Sequence, residues 1–110
     1  MNELIEACIV ECQTCMEACR KNAEICRQEG GHMMSCAEAC AECANACEKN
    51  LELLREGTTT YCEECAEACE ACAEECEQHA DKHEHCRVTG QISARCAERC
   101  REVAETVAVS

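Results

Sequence analysis

The chain has no phenylalanine, no tryptophan and no proline, and its one tyrosine is Tyr61. Without aromatic rings, the side chains that bury the most apolar area are missing, and an ordinary large-residue core is excluded. Basic residues are scarce too: 10 Lys+Arg stand against 23 Asp+Glu, a formal charge of −13. Nucleic acids and anionic membrane surfaces need clustered positive charge, so neither is an expected partner. No stretch approaches the length of a membrane span. Asn2-Glu3-Leu4-Ile5-Glu6 lacks the basic flank, apolar run and small-residue cleavage site of an export signal. Strand alternation and glycine-rich phosphate loops are absent as well.

What remains is sulfur. Seventeen of 110 residues are cysteine. Cys8, Cys12, Cys15 and Cys19 follow steps of 4, 3 and 4, as do Cys36, Cys40, Cys43 and Cys47, and Cys62, Cys65, Cys69, Cys72 and Cys76 continue the pattern. Such steps return to one stripe of an α-helix, where a bundle normally places leucine and isoleucine. The hydrophobic fraction of 47% is mostly cysteine and alanine, which bury little area per residue. Metal binding can therefore add much to stability. A secreted disulfide scaffold favours an even cysteine count and loop-rich spacing. An odd count on helices fits reduced thiols in the cytoplasm.

The fold class is all-α: an antiparallel up-down-up-down four-helix bundle with a cysteine-lined core, forming a single domain over residues 1–110. Helix one runs from Asn2, a plausible N-cap, to Gly30-Gly31. Helix two runs from His32–Ser35 to Gly57. Helix three opens at Thr60, where Thr60-x-x-Glu63 reads as a capping box, and frays over Gln78–Lys82. Helix four begins in the His83–Cys86 region and reaches about Val107, with Gly90 weakening its first half. Each is expected to span roughly 20–28 residues, or roughly 30–40 Å. Short connections force antiparallel neighbours. Glu-Ala-Cys recurs in helices one, two and three, as expected if each lines one cavity.

The stripes end differently. At one end they continue into Ile5, Leu51, Leu54, Val103 and Val107, an aliphatic plug. At the other end gather Cys26, Met33, His79, His83, His85 and Cys86, which reads as a mouth. Asn22, Thr89 and Ser93 are polar where the pattern asks for sulfur, so helix four is poorest in ligands. Simpler readings stand beside these. Cys26 and Cys86 can be free, oxidisable thiols, and His79 and His83 can serve the helix dipole instead of an ion. His32 and His85 fall off the stripes, Met16 and Met34 read as packing residues, and Tyr61 as packing at a helix start.

Thiolate and thioether donors select Cu(I), zinc or iron–sulfur clusters over oxygen-seeking ions. Zinc commonly takes four ligands from paired loops, and clusters take cysteines from tight turns. Here the donors form rows on helices. Cu(I) accepts two thiolates, so seven Cys-x-x-x-Cys pairs each suffice for an ion: Cys8/Cys12, Cys15/Cys19, Cys36/Cys40, Cys43/Cys47, Cys65/Cys69, Cys72/Cys76 and Cys96/Cys100. Several Cu(I) ions per chain are expected, held for storage and detoxification. The alternatives are a zinc or mixed-metal thiolate buffer, and an iron–sulfur electron carrier. No nucleophile–base arrangement or carboxylate pair supports an enzyme.

These Cys-x-x-x-Cys rows on four helices, with a His/Met-bearing end and a His-rich run before helix four, resemble the four-helix-bundle copper storage proteins (the Csp family). The resemblance implies a cytoplasmic store of many Cu(I) ions, assembled as a homotetramer of bundles. Carried over by position, it implies that all 17 cysteines are ligands (those named above, with Cys26, Cys86, Cys96 and Cys100), and that His79, His83 and Met33 lie near the opening.

Overall fold

The computed structural model describes the backbone of residues 3–109 and the side chains of residues 3–106. Four α-helices follow one another: α1 (Glu3–Glu29), α2 (Met34–Arg55), α3 (Cys62–Glu77) and α4 (Glu84–Val109), with one turn of 3₁₀ helix, Gly31–Met33, before α2. No strand occurs among the described residues. α1 packs against α2 and α4, and α3 packs against α2 and α4, closing a ring of four neighbours. The result is the expected antiparallel bundle, a rod of 45 × 21 × 17 Å.

Helix ends follow from local chemistry. The Gly30 N–H closes α1 on the Cys26 carbonyl at 3.0 Å, and Gly30 then takes φ 67, a left-handed conformation that favours glycine. At the end of α2, the Gly57 N–H donates to Leu54 O and the Thr58 N–H to Leu53 O, both at 3.0 Å. With Gly57 at φ 93, this is a Schellman motif that satisfies two orphan carbonyls.

Two expectations are corrected here. α3 starts at Cys62 and the capping box is not formed: no side chain caps the helix. The Cys62 N–H already bonds the Thr59 carbonyl at 3.2 Å, while Thr60 Oγ1 accepts from Thr58 Oγ1 at 3.3 Å. Glu63 and Glu64 still favour the start through the helix dipole. α3 is also shorter than the expected length, at 16 residues. Its continuation over residues 78–82 is a series of turns, in which Ala80 and Lys82 donate three residues back. α4 runs unbroken through Gly90. A Cβ there would lie 3.1 Å from Cys76 Cβ, so the missing side chain lets α3 and α4 approach closely. The proposed N-cap Asn2 lies outside the described residues.

The core is made of small groups. Every cysteine is 0% exposed, and Ala23, Ala37, Ala44, Ala66 and Ala97 fill between them. At one end Leu51, Leu54 and Val103 are buried and Ile5 packs half-buried against them, the aliphatic plug foreseen above. Val107 belongs to the same stripe, but its side chain lies outside the described residues. Met16 packs partly buried against the core, whereas Met34 is exposed and is not a packing residue. Tyr61 is a packing residue at the start of α3, its ring covered by Lys49 Nζ at 4.5 Å.

Candidate metal centre

All 17 cysteines sit on helices, face inward and are unpaired by disulfides. The steps of three and four keep each row on one helix face, and the ring of four helices brings the rows together. Nearest the aliphatic plug, Cys8 Sγ lies 3.7 Å from Cys100 Sγ, and Cys12 lies 3.9 Å from Cys100 and 3.8 Å from Cys96. Next, Cys47 is 3.9 Å from Cys65 and 3.8 Å from Cys69, and Cys43 is 3.5 Å from Cys69 and 3.7 Å from Cys15. Then Cys19 meets Cys72 at 3.7 Å and Cys72 meets Cys40 at 3.6 Å. Furthest out, Cys36 lies 3.7 Å from Cys76 and 3.8 Å from Cys86. Cys26 adjoins Cys86 and Cys36.

The shortest of these contacts cross between helices. Among the Cys-x-x-x-Cys pairs, Cys15 and Cys19 are 3.9 Å apart. Donor groups drawn from several helices include Cys8, Cys12 and Cys100; Cys12, Cys47 and Cys65; Cys19, Cys40 and Cys72; and the quartet Cys15, Cys47, Cys69 and Cys96, whose sulfurs all lie within 4.8 Å of one another. An ion anywhere along the column therefore meets sulfur from more than one helix.

The polar interruptions are part of this column. Ser93 Oγ donates to Cys72 Sγ at 3.4 Å and lies 3.4 Å from Cys19 Sγ. Asn22 Nδ2 donates to Cys40 at 3.4 Å and to Cys76 and Cys86 at 3.8 Å. Thr89 is buried as well. Sequence reasoning missed Asn50, which is 0% exposed and donates to Cys12, Cys62 and Cys100 at 3.6 to 3.7 Å. Its place three residues after Cys47 on the α2 stripe was the available signal.

At the opposite end from the plug the four histidines assemble. His79 and His83 centroids are 6.2 Å apart, and His32 lies 5.7 Å from His79 and 6.3 Å from His83. His85 lies 5.4 Å from His83. The stripe argument set His32 and His85 apart, because His32 stands in the 3₁₀ turn and His85 in the first turn of α4, where the stripe's periodicity does not apply. Met33 is 1% exposed at the end of the 3₁₀ turn. Cys26 and Cys86 are fully enclosed, so the thiols at this end are not open to solvent. The imidazoles are outermost.

Residues 1–105 match the family described as copper storage protein. The chain belongs to the copper storage protein family. It is also 34% identical over 113 residues to the uncharacterized cysteine-rich protein YhjQ of Bacillus subtilis (strain 168), an alignment covering 94% of this chain and 99% of that one.

Electrostatics along the thiol column are those of a shared proton pool. Hydrogen bonds with Cys12, Cys62, Cys65 and Cys8, then burial, push the Cys100 thiol up. Bonds with Cys15, Cys40, Cys43 and Cys72, then burial, do the same for Cys19. Their neighbours move oppositely: Cys12 is drawn down, first by Cys100 and then by Cys47 and Cys65, and Cys62 is lowered to about 4, chiefly by Cys100. Cys26 is pushed up to about 12, by burial first and by the charge of Cys86 second. A proton kept on one sulfur steadies an anion on the next. A soft cation can take the proton's place and neutralise several sulfurs at once.

Proposed function

We propose that the protein stores Cu(I), binding many ions per chain through the thiolates of its 17 cysteines. The observation that carries this reading is the continuous column of fully buried, unpaired sulfurs, each within reach of sulfurs on neighbouring helices. Cu(I) suits it because a soft ion accepts two or three thiolates and lets sulfurs bridge. Storage and detoxification need only capacity and shielding from water, and membership in the copper storage family supports the storage reading.

In this reading Met33, His79 and His83 stand at the entrance, and ions pass inward by exchange between thiolates. The chain acts as a single domain over residues 1–110 in the cytoplasm, where reduced thiols persist. The family resemblance favours a homotetramer. No helix among the described residues is long and apolar enough to cross a membrane. Anaerobic Cu(I) titration against a chromophoric chelator, read with intact-mass spectrometry, tests the proposal. Many ions per chain are expected, and saturation at one or two ends the idea.

A second reading, a zinc or mixed-metal thiolate buffer, is favoured by one observation. The quartet Cys15, Cys47, Cys69 and Cys96 offers the four sulfurs that zinc requires. Retention of Zn2+ against excess Cu(I) separates the two. An iron–sulfur carrier draws no support from cysteines that all stand on helices, since cluster ligands come from tight turns.

A further inference from the structure

Three side chains at the histidine end meet in a way the thiol column does not explain. Glu29, the last residue of α1, holds its carboxylate 3.4 Å from His83 Nδ1 and 3.3 Å from His85 Nε2. His85 Nδ1 in turn lies 2.5 Å from Asn22 Oδ1. The Asn22 amide nitrogen is spent on Cys40, Cys76 and Cys86, so its oxygen can only accept and His85 Nδ1 must donate. In a neutral imidazole Nε2 then presents a lone pair, and that lone pair faces a carboxylate oxygen. Two acceptors at this distance need a cation between them.

The spacing suits a metal ion. Two donors bound at about 2.0–2.1 Å to one tetrahedral ion lie about 3.3 Å apart. The bond from His85 Nδ1–H to the Asn22 carbonyl is the brace that metal-binding histidines use to fix tautomer and ring orientation. Two imidazoles and a carboxylate oxygen suit zinc-class divalent ions, while a carboxylate is a poor ligand for soft Cu(I). All three side chains keep partial exposure (21% for His83, 25% for His85, 34% for Glu29), so an ion can arrive from water. A cavity of about 310 Å³ lined by His32, His79 and His83 opens beside them.

We propose that Glu29, His83 and His85 form a separate site for one divalent borderline cation of the zinc class, with water in the remaining position. The site lies outside the thiol column and does not depend on what the column stores. It would place a second, harder metal at the end of the bundle, braced through Asn22 against the outermost sulfurs.

The test uses full-length protein whose thiols are first saturated anaerobically with Cu(I), with Co2+ as probe. Equilibrium dialysis should find one Co2+ per chain, with the visible d–d bands of a tetrahedral nitrogen–oxygen site and no sulfur-to-cobalt charge transfer. Glu29→Gln should weaken Co2+ binding at least tenfold, with Cu(I) capacity and helical circular dichroism unchanged. A second measurement needs no copper: on adding Zn2+, the ¹⁵N resonance of His85 Nε2 should move while Nδ1 stays protonated. Absence of bound Co2+, which leaves a proton as the shared cation, overturns the proposal. So do equal affinity in Glu29→Gln, charge-transfer bands that put cobalt on cysteine, or an unmoved Nε2 resonance.

Discussion

Asn22 and Asn50 stand toward opposite ends of the thiol column, and each turns its side-chain amide onto three sulfurs. Asn50 serves Cys12, Cys62 and Cys100 beside the aliphatic plug; Asn22 serves Cys40, Cys76 and Cys86 beside the histidines. Neither is a gap in the lining. An amide N–H bonds weakly to a thiol but more strongly to a thiolate, because a hydrogen bond to a charged partner contributes about 1.5–3 kcal/mol. Both residues therefore favour the loaded, deprotonated column.

Replacing Asn50 with leucine separates these two states. The volume is nearly kept and the three sulfurs tolerate apolar company, so the metal-free bundle should change by no more than about 1 kcal/mol. The Cu(I)-loaded form loses a charge-assisted bond, and its stability should fall by about 1.5–3 kcal/mol. Urea unfolding with and without Cu(I) measures both numbers. Equal losses in the two forms would mean that Asn50 only packs.

How far the sequence carried the reading follows from periodicity. Steps of three and four say which residues share a face, so the helices, the inward cysteines and the plug at Leu51, Leu54 and Val103 were legible. Periodicity ends where helices end. His32 and His85 fell off the stripes because the turns around Gly31 and Lys82, not a stripe, bring them to His79 and His83. The Thr60 capping motif misled because α3 opens at Cys62, which makes Tyr61 the N-cap residue and leaves Thr60 one position before it. Contacts between helices carry no signal in the spacing of one chain. The cysteine pairs visible in the sequence lie along each helix, but the shortest sulfur contacts, such as Cys43–Cys69 at 3.5 Å, run across the bundle.

Gly90 gives a prediction about those crossings. Alanine there gains helix propensity, about 1 kcal/mol. Its Cβ would meet Cys76 Cβ at 3.1 Å and the Ala73 carbonyl at 3.6 Å, atoms fixed to the α3 backbone that cannot swing away. Overpacking of this kind costs about 1–3 kcal/mol. Gly90→Ala should therefore lower the melting temperature of the metal-free protein, and a raised one would show that α3 can shift without loss.

The metal-free bundle should lose stability in alkali. Burial, and then the charge of Cys86, raise Cys26 from 9.0 to about 12. For a group raised on folding, the stabilising contribution is fully present below the unfolded value and is lost as pH climbs through the folded one. Groups that are lowered, such as Cys62 at about 4, are ionised in both states above pH 9 and add no further slope there. Anaerobic urea unfolding should thus show midpoints falling between pH 9 and pH 12. A flat profile across that range would remove Cys26 as a buried, protonated thiol.

Thiol labelling examines the burial of the whole column at once. Every cysteine sulfur belongs to a residue that is 0% exposed, and only the thiolate attacks an alkylating reagent. In the folded metal-free protein, iodoacetamide can reach sulfur only when the bundle opens. One alkylated cysteine no longer fits a core packed with small groups, so a chain that has reacted once should not close again. Brief labelling read by intact mass should then give two populations, one unmodified and one carrying 17 additions, with few species between. Saturating Cu(I) should suppress the modified population further, since binding to the folded state alone stabilises it by mass action. A graded ladder of one, two and three additions in the metal-free protein would instead mark individual sulfurs that meet water without unfolding.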